Sequence, residues 1–166
     1  PRSPLGVYAQ SKAAGDIAVG TARRHYLIRT SWVVGEGRNF VRTMHDLAAR
    51  GVSPAVVDDQ VGRLTFTTEL ARATAHLLVT RAEHGTYNVT NGGEPMTWHA
   101  VAAEVYSLAG RDQADVTRTS TATYAAGKDL APRPQYSALD LTKLEATGFR
   151  PEPASQALTR YCESLD

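Results

Sequence analysis

The sequence predicts an α/β fold built around a parallel sheet. The run at 26–35 is rich in β-branched and aromatic residues and does not alternate with polar ones, a pattern typical of a strand buried on both faces. Helical patterns lie on either side of it, and at 39–51 the apolar residues recur at the spacing of an amphipathic helix. With 166 residues, 42% of them hydrophobic, the chain is long enough for one folded unit with its own core.

The first predicted helix spans roughly residues 5–24. Pro4 suits a first turn, where its missing N–H would have no intrahelical partner. Tyr8 and Lys12 are spaced i and i+4, so they share one face of this helix. An ammonium beside a phenol favours the phenolate, which makes such a pair suitable for proton transfer near neutral pH. The same spacing also occurs on ordinary helix surfaces, and the pattern alone leaves both interpretations open.

The loop after the predicted central strand is expected to border a ligand, because ligands of parallel α/β sheets bind outside the carboxyl ends of the strands. Trp32 lies near that end, and the loop continues to Asn39. The amphipathic helix that follows is expected to end at Gly51, since glycine is favoured just past a helix end.

The remaining elements continue the alternation of strands and helices. In chain order, the sequence predicts a strand at 55–57, a polar turn at 58–62, a helix from a Thr67 or Thr68 cap to Gly85, a strand at 86–90, a helix from a Thr97 cap to Gly110, a short strand at 116–121, a loop at 124–135, a helix at 139–147 and a last helix after Pro151 and Pro153.

Composition argues against several classes of function. The 18 basic and 17 acidic residues give a net charge of +1, without the basic surplus of a dedicated nucleic-acid binder. Cys162 is the only cysteine, so an intrachain disulfide framework is impossible and we expect a reducing, cytoplasmic compartment. The sequence has neither a leader pattern nor an apolar run of about eighteen residues, so we expect neither a secretory precursor nor a membrane span.

Candidate metal and nucleophile sites find little support. Asp58 and Asp59 are adjacent, but hard cations need several oxygen ligands and no others follow at a recognisable spacing. The five histidines lack the spacing of zinc ligands, and no Gly-x-Ser-x-Gly sequence is present. We expect no metal.

Two further features concern phosphate-bearing ligands. Arg133 lies between two prolines that restrict the backbone and could aim its guanidinium at a phosphate, with an ordinary surface arginine as the equal alternative. No Gly-x-Gly-x-x-Gly turn for a dinucleotide is found in the sequence.

Several segments, taken together and in order, resemble the extended short-chain dehydrogenases/reductases, in particular those that act on dTDP-linked 4-keto sugars. They are Pro-Leu-Gly-Val-Tyr-Ala-Gln-Ser-Lys-Ala-Ala-Gly-Asp at 4–16, Arg-Thr-Ser-Trp-Val at 29–33, Asn-Phe at 39–40, Asp-Asp-Gln at 58–60, Thr-Thr-Glu-Leu-Ala at 67–71, Thr-Trp at 97–98, and Arg-Pro at 133–134 followed by Ser137 and Leu139.

The resemblance implies an α/β fold that is the C-terminal part of a Rossmann-type parallel sheet, with a smaller helix-rich substrate-binding region interleaved at approximately 36–65 and 91–135. It also implies reduction of the 4-keto group of a dTDP-4-dehydro-6-deoxyhexose by NADPH or NADH, giving dTDP-L-rhamnose. A nucleotide sugar is then the expected ligand, with neither a nucleic acid nor a membrane as a partner.

The same resemblance implies roles for individual residues. Tyr8 would protonate the developing alkoxide, and Lys12 would assist it and hold the nicotinamide ribose. The remaining implied contacts are Ser31 beside the cofactor and Trp32, Asn39 and Arg133 on the nucleotide-sugar side.

The sequence departs from the family pattern in two ways: the cofactor-binding half is missing, and two positions carry unusual residues. The cofactor-binding half and the Ser/Thr partner of the tyrosine would precede residue 1, so we expect a C-terminal portion that is inactive alone. Val34 stands where tyrosine is common and Leu64 where proline is common, which leaves the exact sugar open. An incomplete sheet would expose an unpaired edge and apolar surface, so we expect a homodimer or other association of the fragment, an exchange of elements between copies, or a retained partner segment.

Two alternatives remain at this stage. One is a 4-ketoreductase for another nucleotide deoxysugar. The other is a non-enzymatic relative similar to the regulatory subunit of methionine adenosyltransferase, against which the presence of Tyr8, Lys12 and Trp32 argues.

Overall fold

Short parallel strands and helices alternate along the chain in the computed structural model, which describes residues 4–165. Within that range the helices are α1 (Val7–Gly20), α2 (Phe40–Ala49), α3 (Thr67–Val79), α4 (Trp98–Leu108), α5 (Thr121–Ala125), α6 (Thr142–Glu145) and α7 (Ala154–Glu163). The strands are β1 (Tyr26–Arg29), β2 (Val33–Val34), β3 (Ala55–Val57), β4 (Val61–Gly62), β5 (Thr65–Phe66), β6 (Gly85–Asn88), β7 (Met96–Thr97) and β8 (Thr117–Thr119).

The strands of residues 4–165 associate in pairs. Parallel pairs join β1 to β6, β2 to β5 and β3 to β8, while β4 and β7 are antiparallel. Each parallel pair has at least one helix between its two strands along the chain, as parallel connections require. The predicted α/β class with parallel pairing is confirmed.

The predicted single strand at 26–35 is wrong. It is divided into β1 and β2, which pair with different partners, and Trp32 lies between them with a φ of 47°. A left-handed backbone cannot continue a strand, so the chain turns at this residue. The burial expected on both faces is also wrong, because all four β1 residues are only partly buried.

The segment before α3 differs from its prediction as well. Val61–Gly62 form β4, where the end of the polar turn at 58–62 was predicted, and Thr65–Phe66 form β5, for which no element was predicted. Neither Thr67 nor Thr68 caps α3, because the N-cap position is Phe66 and no side chain bonds there. The helix ends at Val79, and Gly85 instead begins β6 with a φ of 136°. The two-residue strands have no sequence pattern long enough to predict them.

Three helices follow the predicted signals closely. Asn39 caps α2, and Gly51 lies just beyond its end with a φ of 70°. Thr97 caps α4 by accepting a hydrogen bond from the N–H of Ala100 at 3.0 Å. The last helix begins after Pro153, as its position in the sequence indicated. In the predicted loop at 124–135, however, the first two residues belong to α5.

Buried side chains form two apolar clusters. The larger cluster joins α2, α4 and α7 through residues such as Val41, Val105 and Leu158, each fully buried. The smaller cluster lies beneath α3 and β6 and includes Leu77, Tyr87, Leu144 and Phe149. Cys162 is buried in the larger cluster and acts there as a packing residue.

Helix α1 contributes no buried residue to either cluster within Val7–Gly20. Leu5, Val7, Tyr8 and Ile17 are 52%, 82%, 71% and 61% exposed. An apolar surface of this kind is typical of a region that another segment or molecule covers. Across residues 4–165, none of the helices combines the length and the apolar character needed to traverse a bilayer.

Candidate functional site

Tyr8 and Lys12 lie on the same exposed face of α1. The Lys12 ammonium lies 5.7 Å from the centre of the Tyr8 ring, within the range of a cation–π contact. Ser11 lies on the turn between them, and its hydroxyl donates to the backbone carbonyl oxygen of Tyr8 at 2.8 Å. The hydroxyl is thus bonded to the helix backbone and takes no part in the pairing of the phenol with the ammonium. Both functional groups are open to a ligand, and the pairing predicted from the spacing is what the helix produces.

The position of α1 is set by one ion pair and by one loop. Arg29, the last residue of β1, donates its Nε to the Asp16 carboxylate at 2.9 Å. At the other end of the helix, the Pro132 ring lies 3.9 Å from the position that a Cβ on Gly6 would occupy. The Tyr8 helix therefore lies between the strand leading to Ser31 and the loop carrying Arg133.

Ser31 and Trp32 are fixed by the neighbouring strand. The Thr65 hydroxyl donates to the Ser31 carbonyl at 2.6 Å, and the Thr65 N–H donates to the Trp32 carbonyl at 3.0 Å. The Ser31 hydroxyl itself donates to the Arg63 carbonyl at 3.3 Å. Bonds on both sides of Trp32 hold its left-handed backbone, a conformation that costs about 1–3 kcal/mol in a residue other than glycine. Backbone strain that is held this firmly is common at functional sites.

Asn39 uses its whole side chain to hold the loop and the start of α2. Its oxygen accepts from the Arg42 N–H at 3.0 Å, and its amide donates to the Gly35 carbonyl at 2.8 Å and to the Tyr161 hydroxyl at 2.7 Å. Tyr161 in turn donates to the Gly35 carbonyl at 2.8 Å. Asn39 thus links the loop after Trp32 to α7, and its predicted contact with the sugar nucleotide stays a prediction.

Arg133 lies in the exposed loop between α5 and α6. Its neighbour Pro132 places this loop beside the start of α1, as the contact at Gly6 indicates. The Arg133 side chain is exposed to solvent. Its role in binding a phosphate stays a prediction.

The two adjacent aspartates form hydrogen bonds that connect strands to helices. Asp58 accepts from the Thr97 hydroxyl at 2.7 Å and from Arg118 at 2.6 Å, and the His99 ring lies 3.8 Å away. The hydrogen bond from Thr97 is the main reason that the pKa of Asp58 is lowered, with the Arg118 and His99 charges acting in the same direction. Within residues 4–165, no group of three or more acidic, histidine or cysteine side chains is placed to hold a metal ion.

Asp59 bonds to the start of α5. It accepts from the Thr121 N–H at 2.9 Å and from the Thr121 hydroxyl at 2.6 Å. These two bonds lower the pKa of the Asp59 carboxyl. The Asp-Asp-Gln segment is therefore explained by three connections between elements: Asp58 to Thr97, Asp59 to Thr121, and Gln60 to the Thr121 hydroxyl at 2.9 Å.

The two positions that depart from the family pattern are buried. Val34 and Leu64 are each 2% exposed and belong to the larger cluster. Their identities are therefore constrained by core packing, and they carry less information about the sugar than an exposed residue would.

Sequence reasoning included Trp98 in a family motif without giving it a role, and it placed Gly62 in a polar turn, so neither residue was predicted to confine Trp32. Trp98 stacks on its ring, and Gly62 in β4 lies so close that an added Cβ would be 2.6 Å from Trp32 Cε2. A glycine inside a strand is a signal of such close approach, but β4 is too short to be recognised as a strand.

An open cleft of about 580 Å³ lies elsewhere, bordered by Arg63, Gly93, Tyr136 and Asp140. Its lining, as described for residues 4–165, includes none of the predicted site residues. The candidate site accordingly comprises the exposed Tyr8–Lys12 face of α1 and the half-buried Trp32.

Parallel α/β pairing, an exposed Tyr-x-x-x-Lys helix and a tryptophan after the adjacent strand are features of the Rossmann-like fold of the short-chain dehydrogenase class. The chain belongs to the family described as the RmlD substrate binding domain, whose model matches residues 1–166. The family resemblance inferred from the motifs is thereby confirmed.

Named relatives agree with this assignment. The chain is 39% identical over 158 residues to a dTDP-4-dehydrorhamnose reductase of Streptomyces griseus, covering 91% of this chain and 51% of the relative. It is also 39% identical over 153 residues to a probable dTDP-4,6-dihydroxy-2-methyloxan-3-one 4-ketoreductase of Streptomyces antibioticus, covering 91% and 50%. The chain thus spans about half the length of the curated relatives it matches.

A solved structure gives the same result in three dimensions. The dTDP-4-dehydrorhamnose reductase of Bacillus anthracis, solved in complex with NADP, superposes with a TM-score of 0.86 at 31% identity. The superposition covers 99% of this chain and 57% of that protein.

Proposed function

We propose that this chain supplies the proton donor and the substrate-binding surface of an NAD(P)H-dependent reductase that converts dTDP-4-dehydrorhamnose to dTDP-L-rhamnose. The observation that carries the proposal is the exposed Tyr8–Lys12 pair on α1, in a chain that matches the family along its whole length. Reductases of known name at 39% and 31% identity support the same substrate class.

The residues present suit one end of the cofactor. An exposed cation beside an exposed phenol fits a nicotinamide ribose and the reacting carbonyl, whereas the sequence lacks the glycine-rich turn that holds a pyrophosphate. When bound, the reduced nicotinamide supplies the hydride that adds to the carbonyl carbon. We infer that the pyrophosphate and adenosine are held by a segment outside this sequence, so that the 166-residue chain alone is inactive.

Tyr8 has the chemistry to complete the reduction. As the carbonyl carbon becomes tetrahedral, its oxygen gains negative charge and accepts the proton of the Tyr8 hydroxyl. Lys12, on the same helical face, stabilises the phenolate that remains. Once the product has left, solvent returns the proton to Tyr8, which is 71% exposed in this chain.

Trp32 and Arg133 are the proposed contacts to the nucleotide sugar. Trp32 offers an apolar surface after β1, and the Arg133 guanidinium can form paired hydrogen bonds with a diphosphate. Asn39 is the third proposed contact, and it would reach a ligand only by exchanging one of its present bonds to Gly35, Arg42 or Tyr161. Ser31 is proposed to lie beside the cofactor.

A second candidate is a 4-ketoreductase for another dTDP-deoxysugar. The Streptomyces antibioticus relative, with the same 39% identity, favours it. Both candidates use the same chemistry and the same residues. Analysis of the sugar product by NMR after reduction of each 4-keto substrate separates them.

The surface of α1 and the edge of β1 are proposed to be covered in the complete protein. Among residues 4–165, β1 pairs with β6 alone, which leaves its other edge available for a strand. The adjacent exposed side chains of α1 would extend the same interface. We propose a homodimer or association with the cofactor-binding segment. A purely monomeric 166-residue chain in light scattering would contradict the homodimer, and a complete gene product in which α1 exchanges its amide hydrogens as fast as in the 166-residue chain would contradict coverage by the cofactor-binding segment.

The decisive experiment replaces Tyr8 by Phe in the complete gene product. We expect keto-sugar reduction to fall by roughly two to four orders of magnitude, because general acid catalysis contributes about that much. The Lys12→Met variant should also lose activity, while both variants should unfold like the parent protein because neither side chain is buried. Undiminished turnover in Tyr8→Phe would exclude Tyr8 as the proton donor, whereas a parent protein without keto-sugar turnover would favour the non-enzymatic alternative.

A further inference from the structure

Three aromatic side chains form one continuous stack that begins at Trp32 of the candidate site. The Trp32 and Trp98 rings are 3.6 Å apart between centroids and only 12° from parallel. Phe40 packs against Trp98 with its ring centre 4.5 Å away and tilted by 57°. One face of the Trp32 indole is therefore covered by Trp98, and Trp98 is itself supported by Phe40 from α2.

Strand β4 confines the same indole. A Cβ on Gly62 would meet Trp32 Cε2 at 2.6 Å and Ser137 Oγ at 2.7 Å, so only glycine fits without a shift. Ser137 holds this strand in place, because its N–H and its hydroxyl both donate hydrogen bonds to the Val61 carbonyl, at 2.8 Å and 3.1 Å. Contacts from Trp98 and Gly62 together restrict the indole to one orientation.

Trp98 is placed by a polar connection that does not involve Trp32. It is the first residue of α4 and follows the Thr97 cap directly. The Thr97 hydroxyl accepts from the Ala100 N–H and donates to Asp58 at 2.7 Å, which ties the start of α4 to the end of β3. The orientation of Trp32 is thus determined by a scaffold that runs from Asp58 through Thr97 to Trp98.

We propose that Trp98 is a positioning residue, which holds the Trp32 indole so that only its uncovered side is available to the nucleotide sugar. This inference rests on the proposed function, in which Trp32 contacts that ligand. Trp98 acts through Trp32 and does not touch the sugar itself. The arrangement explains why the chain accepts a left-handed backbone at Trp32, since the stack and the Thr65 bonds hold it together.

The stack itself can be tested by spectroscopy, because Trp32 and Trp98 are the only two tryptophans in the sequence. Two indoles this close and nearly parallel couple their electronic transitions and give a paired positive and negative circular dichroism band. We expect Trp32→Phe and Trp98→Phe each to abolish that band while helix content is retained. A band that persists in either variant would overturn the proposal.

The positioning role is tested by kinetics in the complete gene product with NADPH and dTDP-4-dehydrorhamnose. Trp98→Leu should raise KM for the sugar roughly two- to tenfold, in line with the loss of one aromatic pair, with kcat changed much less. Trp98→Phe should restore most of the lost affinity because it keeps an aromatic face. Gly62→Ala, which perturbs Trp32 from β4, should raise KM in the same way.

Val105→Ala is the matched control. Val105 is fully buried on the same helix, two turns beyond Trp98, so this variant loses core packing without removing the stacked ring. An equal rise in KM for Val105→Ala and Trp98→Leu would show that Trp98 contributes only core packing and would overturn the proposal. Failure of the proposed function would be seen separately, as full activity in Tyr8→Phe.

Discussion

Arg29 donates its Nε and one terminal nitrogen to the same oxygen of Asp16, with the Nε at 2.9 Å, and so joins α1 to the end of β1. Arg29 is followed within three residues by Ser31 and Trp32. Because α1 buries no side chain of its own within Val7–Gly20, this pair is a main determinant of where Tyr8 lies relative to Trp32.

The first prediction concerns this ion pair. Asp16→Asn should loosen α1 and speed amide hydrogen exchange in Val7–Gly20, while the free energy of unfolding falls by about 1 kcal/mol or less because the pair is partly exposed. Glu152→Gln, which breaks the Glu152–Arg160 pair at α7, is the matched control and should leave exchange in α1 unchanged. Unaltered exchange in Asp16→Asn would show that other contacts hold the helix.

The second prediction separates the structural and binding roles of Asn39. Asn39→Ala should destabilise the chain by about 1–2 kcal/mol in urea denaturation, because the cap of α2 is lost. Asn39→Asp keeps the accepting oxygen and should recover part of that loss. Tyr161→Phe removes both hydrogen bonds of the Tyr161 hydroxyl, to Gly35 and from Asn39, and leaves the cap in place, so it reports the loop contribution alone.

These variants also test the predicted contact of Asn39 with substrate. If Asn39 binds the sugar nucleotide, KM in the complete gene product should rise in Asn39→Asp more than in Tyr161→Phe at matched stability. Equal values would assign Asn39 to the scaffold.

The helices were predictable from sequence where capping and periodicity agreed. Asn39 and Thr97 are effective caps whose side chains bond within three residues, so local sequence determines where α2 and α4 begin. By contrast, the division of 26–35 depends on Trp32, whose conformation is stabilised by Thr65 and Trp98, both remote in sequence. No local pattern contains that information.

The environment of polar side chains is likewise set by residues remote in sequence, so local patterns did not predict it. Asn91, just after the predicted strand at 86–90, is fully buried, and its side-chain oxygen accepts from the Phe66 N–H at 2.8 Å. Asp58 and Asp59 resemble metal ligands in the sequence, and only the fold brings Thr97, Arg118 and Thr121 to them. Motif resemblance identified the family because it draws on many separated segments at once, which local propensity does not.

The third prediction concerns Arg133. Arg133→Gln in the complete gene product should raise KM for the dTDP-sugar roughly tenfold, because a charge-assisted contact to a diphosphate contributes about 1.5–3 kcal/mol when fully formed and less when exposed. Arg133→Lys should recover little of this, since an ammonium cannot form the paired contact. Arg23→Gln, another exposed arginine, is the control, and an equal effect there would indicate general electrostatic attraction in place of a specific contact.

The fourth prediction concerns the response to acid. The hydrogen bond from the Thr97 hydroxyl, and then the charges of Arg118 in β8 and His99 in α4, lower the pKa of Asp58 in the folded chain. A carboxyl whose pKa is lower in the folded than in the unfolded state stabilises the fold above its unfolded pKa of about 3.9. That stabilisation is lost as pH falls from there through the lowered value. The free energy of unfolding should therefore decline below about pH 4.

Asp58→Asn tests whether Asp58 causes this decline in stability, because the amide keeps an oxygen for Thr97 but cannot ionise. Urea denaturation between pH 3 and pH 7 should give the variant a lower stability at pH 7 and a shallower decline below pH 4. Asp129→Asn, in the exposed loop after α5, is the control and should follow the parent curve. Asp59, Asp140 and Glu152 also have lowered pKa values, so part of the decline should persist in Asp58→Asn. If stability declined below pH 4 as steeply in Asp58→Asn as in the parent, Asp58 would not contribute to the pH dependence of stability.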